Sequence, residues 1–214
     1  MSKLPPGLPV FDPDDRYTLE QYLAIEQSTG KRYEYHEGQL VSVESMAGGS
    51  YSYAVLAGNF IREAGTAIIA AEEADSRLVD CNATTSDLRI AVNGGKRYLY
   101  ADAAIVCGKP AFDEYIPTAI VNPVVVVEVL SPSSELYDRG LKFDFYQALE
   151  SVREYIIVEQ ARQRIEVRHR SDVGAEWQYT MVTSQDDTVH VASLGIELPM
   201  HGLYRNWTAP DVIR

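Results

Sequence analysis

Cysteine is nearly absent from this chain, with Cys81 and Cys107 the two among 214 residues. Neither sits in a C-x-x-C pair or beside a histidine at ligand spacing, so the sequence offers no thiolate metal motif. The pair reads instead as reduced thiols in or near the core, as in a cytosolic protein. The four histidines, His36, His169, His190 and His201, are scattered without ligand spacing, which speaks against zinc. No apolar run reaches the roughly 18 residues of a membrane span, and Met1 to Asp15 has no apolar h-region after Lys3. The expectation is therefore a cytoplasmic protein with no membrane partner. Positive charge is also short: 19 Lys and Arg stand against 31 Asp and Glu, a net charge of −12. That balance weakens any nucleic-acid reading, because neutralisation of phosphates by Lys and Arg supplies much of the affinity for DNA. A local basic groove or a partner would have to make up the difference. There is no P-loop, no G-x-G-x-x-G and no nucleophile elbow, and Gly48-Gly49 is too weak to read as a phosphate cradle.

What remains is an ordinary globular mix, 46% hydrophobic and 23% charged, long enough for one sizeable core. Pro5, Pro6, Pro9 and Pro13 mark residues 1–16 as an extended arm, and residues 17–214 read as a single domain. Thr18-Leu-Glu-Gln21 has the form of a capping box opening a short amphipathic helix that ends near Gly30. A hairpin follows, Lys31 to His36 and Gln39 to Glu44 around Glu37-Gly38. Gly48-Gly49-Ser50 then opens a second helix with a Val55, Leu56, Phe60, Ile61 stripe. Leu88 to Val92 and Tyr98 to Val106 read as strands joined by the Asn93-Gly94-Gly95 turn. Val124 to Leu130 is an almost unbroken apolar run, the signature of a strand covered on both faces. Ser131 to Ser134 end it and cap a helix over Leu136 to Leu149, and Tyr155 to Val158 is the next strand. That is one βαβ crossover in an otherwise antiparallel sheet. Ile165 to His169, Trp177 to Val182 and Val189 to Val191 form a trailing antiparallel meander. The fold class is α/β, in the α+β sense, with a mixed central sheet.

Chemistry points first to Glu128, a lone acid inside Val124-Val-Val-Val-Glu-Val-Leu130. A buried carboxylate requires a metal, a cation or several hydrogen-bond donors; the bland alternative is a buried ion pair or an edge-facing Glu. Asp102 is placed similarly within Tyr98 to Val106, unless it is simply a strand-end residue. Two carboxylates from neighbouring strands suit a hard divalent cation such as Mg²⁺, which polarises a phosphoryl oxygen and activates water. Lys142 either supplies a cation beside that site or merely pairs with Asp138 at i, i+4 on a surface helix. Glu34 and Asp87 lie on earlier strands, where solvated or structural roles compete. Ser131, Ser133 and Ser134 have no nearby histidine and read as capping residues.

Several strings, taken in order, carry a resemblance. They are Thr18-Leu-Glu-Gln-Tyr-Leu, Tyr33-Glu-Tyr-His-Glu-Gly-Gln-Leu, Met46-Ala-Gly-Gly-Ser, Ser86-Asp-Leu-Arg-Ile and Tyr100-Ala-Asp102. Later come Asn122-Pro-Val-Val-Val-Val-Glu-Val-Leu-Ser-Pro-Ser-Ser134, Tyr137-Asp-Arg-Gly-Leu-Lys-Phe143 and Arg153-Glu-Tyr155. The chain resembles the Uma-two family of restriction-endonuclease-like proteins, within the PD-(D/E)XK nuclease superfamily, over about residues 17–205. The resemblance implies a restriction-endonuclease-like core and Mg²⁺- or Mn²⁺-dependent endonuclease action on DNA. It assigns Asp102 and Glu128 as metal ligands, the Val129 carbonyl as a further ligand, Lys142 as the assisting cation and Glu34 as an added acid. Three positions depart from the pattern. Ala101 stands where the family has Pro before the Asp, and Leu130 stands where the motif has Lys. Tyr53 stands where many relatives have a His near the start of the second helix. These departures, with the net charge, leave open a catalytically silent nuclease-fold module for interaction or regulation. A homodimer suits a nuclease that cuts both strands, and the meander with Trp177 and Tyr179 offers an apolar face for it.

Overall fold

The computed structural model describes residues 4, 10–43 and 50–210. The expected arm lies partly outside these residues; of the rest, Val10 bridges Val41 and the Phe11 amide donates to the Leu40 carbonyl at 2.8 Å. The first helix, α1 (Leu19–Thr29), closes with the expected capping box at Thr18 and Gln21 and ends on Gly30 at φ +65°, a conformation that favours glycine. Strands β1 (Tyr33–His36) and β2 (Gln39–Ser42) form the hairpin, with Glu37 and Gly38 both at positive φ, the backbone of a tight two-residue connection. Gly48 and Gly49 lie outside the described residues. Ser50 caps α2 (Tyr51–Ala71) by accepting from the Tyr53 amide.

Beyond α2 come β3 (Asn82–Thr85), β4 (Arg89–Val92), β5 (Arg97–Tyr100), β6 (Ala103–Val106), β7 (Ala119–Ile120) and β8 (Val125–Leu130). Two short helices, α3 (Glu135–Arg139) and α4 (Leu141–Tyr146), lead to β9 (Glu154–Glu159), β10 (Ile165–His169), β11 (Gln178–Val182), β12 (Thr188–Val191), β13 (Ile196–Pro199) and α5 (Met200–Leu203). The expected central sheet is in fact two main sheets. One has the order β2-β1-β5-β4-β7, the other β11-β10-β9-β8-β6-β3, and β12 pairs with β13 apart from both. β8 and β9 run parallel across the α3–α4 crossover, as read from the sequence. A second parallel pair, β4 with β7, was not expected.

Two further corrections bear on function. The expected strand Tyr98 to Val106 breaks at Ala101-Asp102, and its halves β5 and β6 belong to different sheets. The cause of the break lies on β8, where the Val127 carbonyl accepts from the Asp102 amide and the Val129 amide donates to its carboxylate. The expected helix after Ser134 is interrupted at Gly140, with φ −114° and ψ −99°, and Ser134 makes no side-chain cap.

The six-stranded sheet is covered on both faces, which explains the unbroken apolar run of β8. Val125, Val127 and Val129 join Leu56, Phe60, Ala64 and Ile68 of α2, together with β12 and β13. Val126 and Leu130 point the other way, toward Tyr137, Phe145 and Tyr146 of the crossover helices and the five-stranded sheet. Glu128 shares that second face by strand alternation. By length and composition α2 passes as a possible membrane span, which the search for apolar runs in the sequence had not indicated. Its buried stripe packs on the sheet, and Arg62 pairs with Glu63 at 2.9 Å.

The cysteines are bonded to each other rather than free as expected. Antiparallel register sets Asn82 opposite Val106, so the residues just outside that pair, Cys81 and Cys107, face each other across the strand ends. Closing a loop over a separation of 26 residues stabilises the fold by roughly 3 kcal/mol in the chain-entropy picture.

Glu154, at the start of β9, is fully buried and accepts from the Ser193 amide at 3.2 Å and hydroxyl at 3.0 Å. Burial raises its carboxyl to about 7, against the pull of those donors. The folded state thus holds a proton that the unfolded state releases near 4.5, and stability falls as pH rises between those values. Glu154→Gln is expected to flatten the decline of the urea midpoint across this window. A slope identical to that of the unmodified chain would contradict the assignment.

Candidate metal and active site

The break at Asp102 and the interruption at Gly140 bring the two sheets and the crossover helices together around one small cavity. Its walls include Tyr53, Tyr100, Asp102, Glu128, Val129, Asp138 and Lys142. Glu34 reaches the same cluster from β1 in the five-stranded sheet, while Glu128 comes from β8 in the six-stranded sheet.

Lys142 joins them. Its ammonium donates to Glu128 Oε2 at 2.9 Å and to the Tyr100 carbonyl at 2.9 Å, and lies 3.2 Å from Glu34 Oε1 and 3.7 Å from Asp138 Oδ1. The side chain is almost wholly buried. The sequence posed a choice between a cation at the site and an i, i+4 partner of Asp138, and the structure makes Lys142 both, inside the protein rather than on a surface helix. On Glu34, Tyr137 donates its hydroxyl to Oε2 at 2.6 Å and His36 Nε2 lies 3.2 Å from the same oxygen. Burial pushes the Glu34 carboxyl up, but Lys142, His36 and Tyr137 outweigh it and hold the group at about 2. Glu34 is therefore ionised across the working pH range and serves as the firm counter-ion of Lys142.

The other acids respond differently. Asp102 accepts from the Tyr53 hydroxyl on Oδ1 and from the Val129 amide on Oδ2 at 2.6 Å. Burial still raises its carboxyl above the ordinary range, with Lys142, Tyr53 and Val129 opposing. Asp138 is raised to about 6, again by burial against the pull of Lys142 and Ser134. Glu128 is raised well above the ordinary range, because burial acts together with the negative charge of Asp102 and Asp138 and outweighs Lys142. One of its oxygens, Oε1, has no hydrogen-bond partner among the described residues. A buried acceptor left in this state is costly. Glu34, Glu128 and Asp138 thus lie within 4 Å of one ammonium, with Asp102 on the same cavity wall, and the cluster is short of positive charge.

The cavity of about 20 Å³ is large enough for one water or one cation. Among the described residues no group of three or more His, Cys, Asp and Glu is arranged to hold a metal, so a cation here would rest on two carboxylates, Asp102 and Glu128, with backbone oxygen and water. Such an all-oxygen set, with few protein ligands, is the kind Mg²⁺ takes. The unpaired Glu128 Oε1 fits that use.

All four acids and bases named from the sequence, Glu34, Asp102, Glu128 and Lys142, meet at this point. Asp87 does not; it is exposed and pairs with Arg32 at 2.9 Å. Tyr53, noted only as a departure from the family pattern, touches Asp102 directly. Tyr137, Asp138 and His36 were not singled out as site residues. The signal for His36 was present, since it lies two residues from Glu34 and so on the same strand face.

Comparison with known proteins matches the family model Uma2, described as "Putative restriction endonuclease", to residues 19–201. The chain belongs to the Uma2 family. Two uncharacterized proteins of Synechocystis sp. are similar along nearly their whole length. The protein slr1290 is 28% identical, covering 90% of this chain and 94% of the relative, and sll1609 is 26% identical, covering 84% and 94%. A crystal structure titled as a "putative nuclease belonging to DUF820" from Anabaena variabilis superposes with a TM-score of 0.64 at 16% identity. The match covers 89% of this chain and 98% of that one. The fold is therefore that of a restriction-endonuclease-like protein, and membership of Uma2 supports a nuclease-like function.

Removing the single ammonium should leave three or more buried acids uncompensated. Lys142→Met is expected to lower the unfolding free energy at pH 7 by about 3–5 kcal/mol, measured by urea denaturation. Adding Glu128→Gln to it should restore part of the loss, because the two groups are coupled. Additive effects of the two substitutions would show that they do not interact.

Proposed function

We propose that this Uma2 protein is a divalent-metal-dependent endonuclease that hydrolyses phosphodiester bonds of DNA. The observation that carries the reading is Glu128, whose Oε1 is buried without a hydrogen-bond partner among the described residues and which lines a cavity shared with Asp102. In this reading Asp102, Glu128 and the Val129 carbonyl hold Mg²⁺ or Mn²⁺. The ion supplies polarisation of a phosphoryl oxygen and a water activated near neutral pH. The chain's own residues orient and neutralise. Lys142 donates to Tyr100 and Glu128 and lies 3.2 Å from Glu34, so its main part is to fix Glu128 and offset its charge. Glu34, held ionised by Tyr137 and His36, fixes Lys142 in turn. Tyr53 and the Val129 amide set the direction of the Asp102 carboxylate. A homodimer and a cytoplasmic location belong to the same proposal. The disulfide weighs against that compartment, where thiols are kept reduced.

A specific observation favours a second reading, a metal-binding but catalytically silent module. Tyr53 occupies Asp102 Oδ1, and this hydroxyl competes with a cation for the same oxygen. Both readings predict that Mn²⁺ raises the melting temperature of the unmodified chain and not that of Asp102→Ala, since a ligand bound only by the folded state stabilises it. Tyr53→Phe should bind Mn²⁺ severalfold more tightly. Metal-dependent plasmid nicking, lost in Asp102→Ala, decides for the nuclease. Mn²⁺ stabilisation with no cleavage of either plasmid or a single-stranded oligonucleotide, by the unmodified chain or by Tyr53→Phe, decides for the silent module. Absence of any Mn²⁺ effect defeats both.

A further inference from the structure

The C-terminal end of β8 opens on a second, larger cavity that the metal reading does not use. Its volume is about 220 Å³, and its apolar wall is Leu130, Pro132, Ala161 and Pro210. The two cavities are neighbours: Glu128 lines the carboxylate cavity and Leu130, two residues on along the same face of β8, lines the larger one, and Ser134 and Ser131 divide in the same way. A group seated in the larger cavity therefore lies beside whatever occupies the carboxylate site.

The polar part of the wall is fixed in place. The buried Gln160 side chain donates from Nε2 to the Leu130 carbonyl at 2.6 Å and accepts from the Ser50 hydroxyl at 2.7 Å. Glu159 is held by Arg139 at 2.7 Å and Arg162 at 2.7 Å. Glu135, half exposed, stands at the rim paired with Arg139 at 2.9 Å, and a carboxylate so placed has further lone pairs to accept from the exocyclic amine of a base. The result is an apolar cavity with an acceptor at its edge, of a volume that admits a single heterocycle.

Charge narrows the choice of occupant. At a net charge of −12 the chain gains little from neutralising phosphates, and the arginines that reach the cavity's acids, Arg139, Arg162 and Arg164, are already paired with Glu135, Glu159 and Glu166. Affinity for a nucleic-acid strand must then come from contacts to a base, which unpaired nucleotides offer and a stacked duplex withholds.

We infer that this larger cavity receives one unpaired base of the strand whose phosphate sits at the carboxylate site, so that the substrate is single-stranded or locally unpaired nucleic acid. The inference rests on the nuclease reading but is tested apart from it. The probe is an oligonucleotide carrying 2-aminopurine, single-stranded or annealed to its complement, titrated with Ca²⁺ present. The single strand should bind at least about tenfold more tightly than the duplex, with a change in 2-aminopurine emission. Ala161→Trp and Pro132→Trp alter exposed positions at the cavity; each should weaken single-strand binding about tenfold and suppress the emission change, while Mn²⁺ stabilisation stays as in the unmodified chain. Equal affinity for single strand and duplex, unmodified affinity in both tryptophan variants, or no oligonucleotide binding would overturn the cavity assignment. The metal reading fails separately, through loss of the Mn²⁺ effect.

Discussion

One ammonium group holds this molecule's two sheets to each other at their most polar point. Lys142 reaches from the crossover helix to Glu34 on one sheet and Glu128 on the other, in surroundings where neither acid would tolerate ionisation alone. The elements nearby are shaped around that contact. The chain leaves one sheet and enters the other at Asp102, and the crossover helix bends at Gly140, four residues beyond Leu136 and two before Lys142. Tyr137, Tyr146 and Tyr155 wall the cluster off from water.

The cluster is stable enough to exist and short enough of positive charge to bind more. Glu34 is held ionised, whereas Glu128 and Asp138 retain their protons more strongly than ordinary carboxyls. A group of acids with such unequal proton affinities is typical of sites that exchange protons for a ligand. The same inequality costs stability in the unliganded protein. The Cys81–Cys107 link lies at the far end of β6 from Asp102 and ties that strand to β3, so the strand that carries the break is anchored at its other end.

Much of this was legible in the residues. Glu128 announced itself because a single acid stood in an otherwise apolar strand, and the capping box, the hairpin turn and the parallel crossover followed from local rules. Other features depend on partners distant in sequence. Nothing between Tyr98 and Val106 marks the passage from one sheet to the other, since apolar residues continue through it; the cause is the Val129 amide on a later strand. The two-residue strand β7 carries too few residues for a periodic signal. The disulfide follows from the β3–β6 register, not from cysteine spacing. Glu34 had no local mark of burial, and family resemblance alone set it apart from Asp87, which is exposed. Asp138 was visible only as an i, i+4 partner, because the depth of its helix is set by tertiary packing.

The central claim is that the pair Asp102 and Glu128 accepts a divalent cation where the second Glu128 oxygen now lacks a partner. A crystal grown in Mn²⁺ and measured at a wavelength that reveals manganese tests it most directly. The claim requires an anomalous peak in contact with one oxygen of each carboxylate, at roughly 2.0–2.2 Å as for a hard cation of this size. No peak in that cavity at saturating Mn²⁺, or one bound only at the surface, would contradict it.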